Sequence, residues 1–513
     1  MEYESVISGY VIAVSAILGL WGPPSSPPIS ADRMGLAPPT LREILLLCLL
    51  LAGLYLILVS ETRHQFLPVP PPAPRPPNIS DARVYSTRLT WKSASQVPQT
   101  KIIAHVPGWS IIDRLYIYKG VVFIVSNEPQ SIPNISAIYS KGVDIEVGEE
   151  AELARLPDDT DIRIISTTEA RALFGSGAQF LDGVTYFVND PPQFVRHYYH
   201  WAAELWFGFW RAYSSLDPTI SPSGNTTLPP PRRMWFNRLD AFRWRDYSTM
   251  NQWIVRSSFP DLTMEFIDDW DDRIKMGVPF VLERVVLADR SAAMPSLNYQ
   301  RYQRTAAAAF GLPGSVHWWQ TIRNKVVQFA GLDPEEGAGT RQRPVITYIS
   351  RQAWGRRMLI PADHERLVYE LRKLEYVYGW EVNVVVPEKM SRLEQLQLAA
   401  RTTILMGVHG NGLTSLLWMK PNPRSTVMEF FYPGGFAHDY EYTTRSLGMT
   451  HYGFWDDVAF TSPDIPLPAY PEGFQGNSIP LDGRAVAELC IQRLTLEAEV
   501  DDGYVLLEAE VDG

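Results

Sequence analysis

The segment from Val345 to Tyr432 constrains the fold most. It carries four short, strongly apolar runs, VITYIS (Val345–Ser350), EVNVVVP (Glu381–Pro387), TILMGV (Thr403–Val408) and VMEFFY (Val427–Tyr432). Between them lie helix-forming stretches from about Asp363 to Tyr376, from about Ser391 to Arg401, and from about Leu413 onward. Strands joined by a helix run parallel, and strands this uniformly apolar are covered on both faces. The repetition therefore predicts a parallel α/β sheet. Asp363 and Ser391 are expected N-caps, the second with Glu394 three residues on as a capping box.

A similar alternation occupies Lys101 to Arg290. Strands are expected at Gly120–Ser126, Ile162–Ser166, Val184–Val188, Arg233–Asn237, Leu262–Ile267 and Arg284–Ala288, with one long aromatic helix from Phe194 to Tyr213. SSLDPTISPSGNTTLPPPRR reads as a loop, and LDPEEGAGTRQRP after Gly331 reads as a polar linker. The expected fold class is α/β: two Rossmann-like domains, residues 101–335 and 340–465, facing across a cleft. A C-terminal tail, 466–513, should hold one helix near Arg484–Val500. No short-period repeat is present.

The first hundred residues have a different character. Apolar runs cover 6–21 and 44–59, the second reading ILLLCLLLAGLYLILV without one polar face. Sixteen residues make roughly 24 Å of helix, short of a ~30 Å hydrocarbon core but closer to a thin early-secretory bilayer. We expect an N-terminal segment, 1–43, whose run at 6–21 is a candidate span, a transmembrane anchor at 44–60, and a stiff proline-rich stalk at 61–100 that includes PVPPPAPRPP. Arg33 and Arg42 assign the cytosolic side and send the bulk of the chain into the lumen. Asn78, Asn134 and Asn225 each head an N-x-S/T sequon. This is the layout of a type II enzyme of the endoplasmic reticulum or Golgi membrane. With 46% apolar and 20% charged residues the chain is not largely disordered. A net charge of −11 offers no basic surface to nucleic acid, and two cysteines exclude a cysteine-based zinc site.

Three constellations could carry chemistry. His409-Gly410-Asn411-Gly412 follows strand TILMGV and precedes a helix. Glycines at such a turn let backbone approach a ligand, and a helix N-terminus favours a diphosphate. Glu429, on the next strand about 20 residues on, stands where an acidic residue meets ribose hydroxyls. Ser350-Arg351 and Arg356-Arg357 lie at another strand end, where guanidinium groups would clamp phosphate, unless they form only a solvated basic loop. In HYYHWAAE, a 100° helical step brings His197, His200 and Glu204 within about 60° of one another, so that Glu204 can orient His200 as a general base. The same pair would also suit an aromatic core as a satisfied histidine–glutamate contact. Asp268-Asp269-Trp270-Asp271-Asp272 resembles a metal-holding D-x-D, but its surroundings read as a solvated acidic loop.

Taken together, YISRQAWGRRML, ILMGVHGNGLTSLLWM, VMEFFY, and then Tyr442, Leu447-Gly448 and Tyr452 resemble glycosyltransferase family 61 in order and spacing. HYYHWAAELWFGFW resembles that family's N-terminal-half motif. The resemblance implies a GT-B-like fold and inverting transfer from a UDP-sugar (xylose, GlcNAc or similar) to a hydroxyl of a glycan or glycoprotein. It implies no cofactor and no required metal. It places Arg351, Arg357, His409, Gly410, Asn411, Gly412 and Glu429 on the donor side, and His200 and Glu204 at the acceptor as catalytic residues, either being the base. Pro361 and His197 depart from the asparagines common at those positions. Two other functions fit the same sequence: a catalytically inactive lumenal binding protein of this fold, and a metal-dependent transferase using Asp268–Asp272.

Overall fold

The computed structural model describes residues 41–42, 44–52, 55, 87–335 and 343–496. The chain divides into two units, Met1–Val84 and Tyr85–Gly513. In the first unit the described residues are helical, with Leu45, Leu47, Leu49 and Leu50 exposed. Among the described residues no helix is long and apolar enough to cross a membrane. Only part of the anchor expected at 44–60 is covered. The run at 6–21, the prolines at 68–77 and Asn78 lie outside the described residues.

The second unit is mixed α/β and holds two sheets. The first comprises β1 (Arg88–Thr90), β2 (Lys101–Val106), β3 (Trp109–Tyr118), β4 (Val121–Val125), β5 (Ile162–Ile165), β6 (Gly177–Val188), β7 (Arg233–Phe236), β8 (Thr263–Glu265) and β9 (Phe280–Ala288). Their main order is β5-β4-β3-β9-β6-β7-β8, with β1 beside β6 and β2 beside β3. The pairs β6–β9, β6–β7, β7–β8 and β4–β5 are parallel, but β3 runs antiparallel to β2, β4 and β9. This corrects the expectation of a Rossmann-like sheet in the first half. The cause is local: Lys119 and Gly120 both have positive φ (51° and 82°) and join Tyr118 directly to Val121. A two-residue turn of that kind can only reverse the chain.

The second sheet comprises β10 (Val345–Ile349), β11 (Glu381–Val385), β12 (Ile404–Val408), β13 (Thr426–Phe430), β14 (Thr450–Trp455) and β15 (Val458–Phe460), in the order β11-β10-β12-β13-β14-β15. All neighbours are parallel except the β14–β15 edge pair. The first four match the expected strands. The Ser391/Glu394 capping box is present on helix Arg392–Arg401. Helix Pro361–Tyr378 instead starts two residues early, because Pro361 needs no N–H partner in a first turn. Asp363 is not its cap; its carboxylate accepts from the Leu481 amide at 3.2 Å. The tail helix spans Gly483–Leu494.

One face of this sheet packs Met406 and Met428 against Leu367, Leu371, Val486 and Cys490 of those two outer helices. The other face turns toward the first half. Leu396, Ala399, Leu413, Leu416 and Trp418 belong to the same apolar core as Trp206, Trp319 and Ile322. Trp319 Nε1 donates to the Leu417 carbonyl (2.9 Å) and Trp418 Nε1 to the Tyr198 hydroxyl (3.0 Å). At about 25 cal/mol per Å² of apolar surface, each buried tryptophan contributes a few kcal/mol to holding the halves together. The two sheets are thus fixed relative to each other by a shared core.

Candidate active site

The C-terminal ends of β10 and β12 supply one wall. Gln352 braces the loop after β10 by exchanging two 3.0 Å bonds with the backbone of Leu359. That brace turns Arg351 and Arg357 back toward the turn after β12. Arg357 Nη1 approaches the His409 carbonyl (3.4 Å), and its Nε donates to Gln475 Oε1 (2.6 Å). Arg351 lies over Gly410, where a Cβ would sit 2.5 Å from its Nη1 at a φ of 154°. Arg351 Nε is buried without a partner among the described residues. Among the described residues neither arginine is ion-paired; burial, the largest influence on each, pushes both guanidinium pKa values down, and each has a neighbouring arginine that adds to the effect. Two adjacent, uncompensated, partly buried cations form an anion site.

The other predicted donor residues divide by environment. His409 is nearly buried, flanked by Phe431, Tyr440 and Phe474, and its Nδ1 lies 2.5 Å from Glu429 Oε1. Glu429 is fully buried, and its second oxygen meets His451 Nε2 at 2.9 Å. Both its oxygens are taken up by histidines, which leaves none for the ribose hydroxyls expected from its place about 20 residues after the glycine turn. Asn411 is also taken up: its Oδ1 accepts from the Tyr199 amide (3.1 Å) and its Nδ2 donates to Ser248 (2.9 Å). Both contacts bridge to the first half, so Asn411 positions that wall. A Cβ on Gly412 would meet Ile349 at 2.8 Å, so this glycine serves close packing on β10. The segment Asn411–Trp418 is a 3-10 helix rather than an α-helix.

The facing wall comes from the HYYH segment. The single helix expected over Phe194–Tyr213 is broken into Pro192–Val195, a π-helix His200–Trp206 and an α-helix Phe207–Ser214. Wide turns of this kind are rare and recur at functional sites. His200 Nδ1 lies 2.6 Å from Glu204 Oε2, its side chain is 25% exposed, and among the described residues Nε2 has no partner. Glu204 is buried and also accepts from Arg290 Nη1 (2.9 Å) and the Thr305 amide (3.3 Å), with Arg304 Nη1 at 3.9 Å. Burial acts to raise its pKa, but Arg290, His200 and Arg304 outweigh this and hold the carboxyl below the usual range. Glu204 is thus a saturated anion that orients His200, and of this pair it is His200 that presents a ring nitrogen to a substrate.

Arg304 joins the two walls. It pairs with Asp439 at 2.5 Å and reaches Glu204, while the Tyr199 hydroxyl donates to the Asp439 carbonyl (2.8 Å). Tyr440 in turn stands between Tyr199 and His409. Arg290, Arg304 and Asp439 were not picked out from sequence. Asp289-Arg290 directly after β9 carried a signal, a charged pair at a strand end; Arg304 and Asp439 carried none.

The acidic run is not part of this site's contacts. Asp268–Asp272 lies within helix Ile267–Met276, not a loop; Asp269 accepts from the Phe266 amide (2.8 Å), and Arg273 stacks over Trp235 (4.3 Å). Among the described residues no group of three or more histidines, cysteines or carboxylates is placed to hold a metal ion. A cavity of about 890 Å³ lies at the opposite, N-terminal ends of β7 and β8, lined by Pro231, Arg232, Leu262, Arg284 and Lys325. It includes none of the residues above.

An α/β chain of two sheets, with an unpaired arginine pair at parallel strand ends and a histidine–glutamate dyad joined to it through Arg304 and Asp439, has the working parts of a glycosyltransferase. The family model described as Glycosyltransferase 61 matches residues 187–428, from the end of β6 into β13. The match supports membership of glycosyltransferase family 61. No curated protein matches it in sequence.

Proposed function

We propose that the protein moves a sugar from a UDP-sugar to a hydroxyl of a glycan or glycoprotein, with inversion at the anomeric carbon and without a required metal ion. The reading takes the two walls as a GT-B-like cleft. His200 Nε2 removes the acceptor proton as the hydroxyl oxygen attacks, Glu204 holds the ring in register, and the anomeric carbon–oxygen bond breaks on the opposite face. The departing UDP carries the charge that Arg351 and Arg357 neutralise. The unpaired arginine couple, with the buried orphan Nε of Arg351, is the observation that carries this reading. We place the reaction in the lumen of the endoplasmic reticulum or Golgi, with residues 44–60 as the anchor. The uncharged apolar run and the exposed leucines within it support that placement.

Calorimetry of the full chain with UDP and GDP, followed by transfer assays with a panel of UDP-sugars in EDTA, tests the proposal. Binding of UDP and a product of inverted configuration are expected. Absence of heat with any uridine nucleotide, or activity lost in EDTA and restored by a divalent ion, would refute it.

A further inference from the structure

Behind His409 lies a buried triad that the transfer reaction does not itself require. Glu429 Oε1 meets His409 Nδ1 at 2.5 Å and Glu429 Oε2 meets His451 Nε2 at 2.9 Å, with Glu429 fully buried and His451 nearly so. Among the described residues His451 Nδ1, which is buried, has no hydrogen-bond partner. A bare imidazole nitrogen tolerates that position better than an orphaned N–H, which would forfeit its hydration for nothing. The proton of His451 therefore sits on Nε2 and is donated to Glu429 Oε2. That leaves one question, which partner supplies the proton between Glu429 Oε1 and His409 Nδ1.

We infer that Glu429 and His451 are positioning residues that fix His409 with an N–H on Nε2, so that it faces the cleft as a hydrogen-bond donor to the diphosphate. The inference rests on the donor-site reading above. Two observations lead to it. First, an anionic Glu429 between two neutral histidines would bury a net negative charge at zero exposure, whereas a protonated Glu429 that donates to Nδ1 leaves the triad neutral. Second, among the described residues His409 Nε2 has no partner, and His409 adjoins Gly410, over which Arg351 lies. A lone pair aimed at phosphate oxygens there would repel them, and an N–H would bind them. The charged groups around the triad are Asp439 and Glu441 on one helix, Arg304, which pairs with Asp439, and Arg351, Arg357 and Arg445. Glu441 is itself occupied by His438 (3.0 Å) and Arg445. Burial, the largest influence, and the two carboxylates push Glu429 well above its ordinary value, while burial pushes His409 down to about 3, so the shared proton rests on the carboxyl.

The substitution Glu429→Gln mimics the neutral acid: its oxygen accepts from His451 Nε2–H and its amide donates to His409 Nδ1. Nitrogen NMR of the full chain labelled in histidine, with the His409 signal identified by loss in H409Q, reads the proton directly and needs no ligand. A protonated Nε2 on His409 at neutral pH, in wild type and in Glu429→Gln, is expected; an unprotonated Nε2 in wild type overturns the inference. UDP affinity gives the functional arm. Glu429→Gln should bind UDP within about threefold of wild type, and Glu429→Ala should bind at least about tenfold more weakly, the loss of one charge-assisted bond. Equal weakening in both variants overturns the inference. A wild-type chain that ignores UDP refutes the donor-site reading instead, and the NMR result still decides where the proton lies.

Discussion

Replacing Glu204 with glutamine separates the geometry of the dyad from any assumption about substrate. The carboxylate is buried and takes hydrogen bonds from His200 (2.6 Å), Arg290 (2.9 Å) and the Thr305 amide (3.3 Å). Glutamine keeps the shape and removes the charge that compensates Arg290 and Arg304. Charge-assisted bonds contribute about 1.5–3 kcal/mol each, and uncovering a buried charge costs about 3–5 kcal/mol, so Glu204→Gln should lose roughly 3–5 kcal/mol. With an unfolding entropy of roughly 2.1 cal/mol/K per residue over about 400 ordered residues, this is a fall of about 4–6 °C in Tm. The pH dependence supplies a sharper check. Because the folded carboxyl titrates below its ordinary 4.5, its stabilisation is full above that pH and is lost as pH falls through the folded value. The gap between wild type and variant should therefore be flat from about pH 5 upward and close in acid. Urea unfolding across that range, with transfer kinetics alongside, measures both parts; kcat should fall about a hundredfold with donor KM nearly unchanged. A variant within about 1 kcal/mol of wild type at neutral pH, or a gap that widens in acid, would refute the reasoning.

Other substitutions probe single contacts. His200→Ala should lower kcat by a factor of about 10²–10⁴ while UDP affinity by calorimetry stays put; retained turnover would remove His200 as the base. Gly410→Ala brings a Cβ to 2.5 Å from Arg351 Nη1 at a φ of 154° that only glycine adopts without strain, so it should cost about 1–3 kcal/mol in unfolding while UDP binding weakens about tenfold. Unchanged binding would show that Arg351 does not contact the ligand. Asn411→Ala removes the bridges to Tyr199 and Ser248 and should cost roughly 1–3 kcal/mol in denaturant unfolding, a loss that a ligand-only role for Asn411 would not produce. Asp268→Asn combined with Asp272→Asn should leave transfer rates unaltered in a buffer that contains a divalent ion, since among the described residues the one ion-pair partner of Asp272 is exposed Lys275; a collapse in rate there would restore the metal-dependent reading.

The second sheet could be read from the chain because each of its strands is a continuous apolar run set off by helix signals, and such periodicity is a local property. Arg351, Arg357 and His409 were legible for the same reason, being charged or glycine-flanked residues at strand ends. The antiparallel β3 escaped because its apolar run is interrupted by Asp113-Arg114, although the positive-φ turn at Lys119-Gly120 is itself local. Glu429 and Asn411 were singled out as donor contacts, yet packing turned one to hold histidines and the other to tie the halves together. The local pattern thus determined which residues lie near the strand ends and which helices cover them. Only the tertiary structure decided which of them face the cleft: a hydrogen bond across 212 or 240 positions, such as the Tyr199 amide with Asn411 or the Tyr199 hydroxyl with Asp439, depends on how two sheets pack through a common core. Short-range periodicity carries no record of that packing.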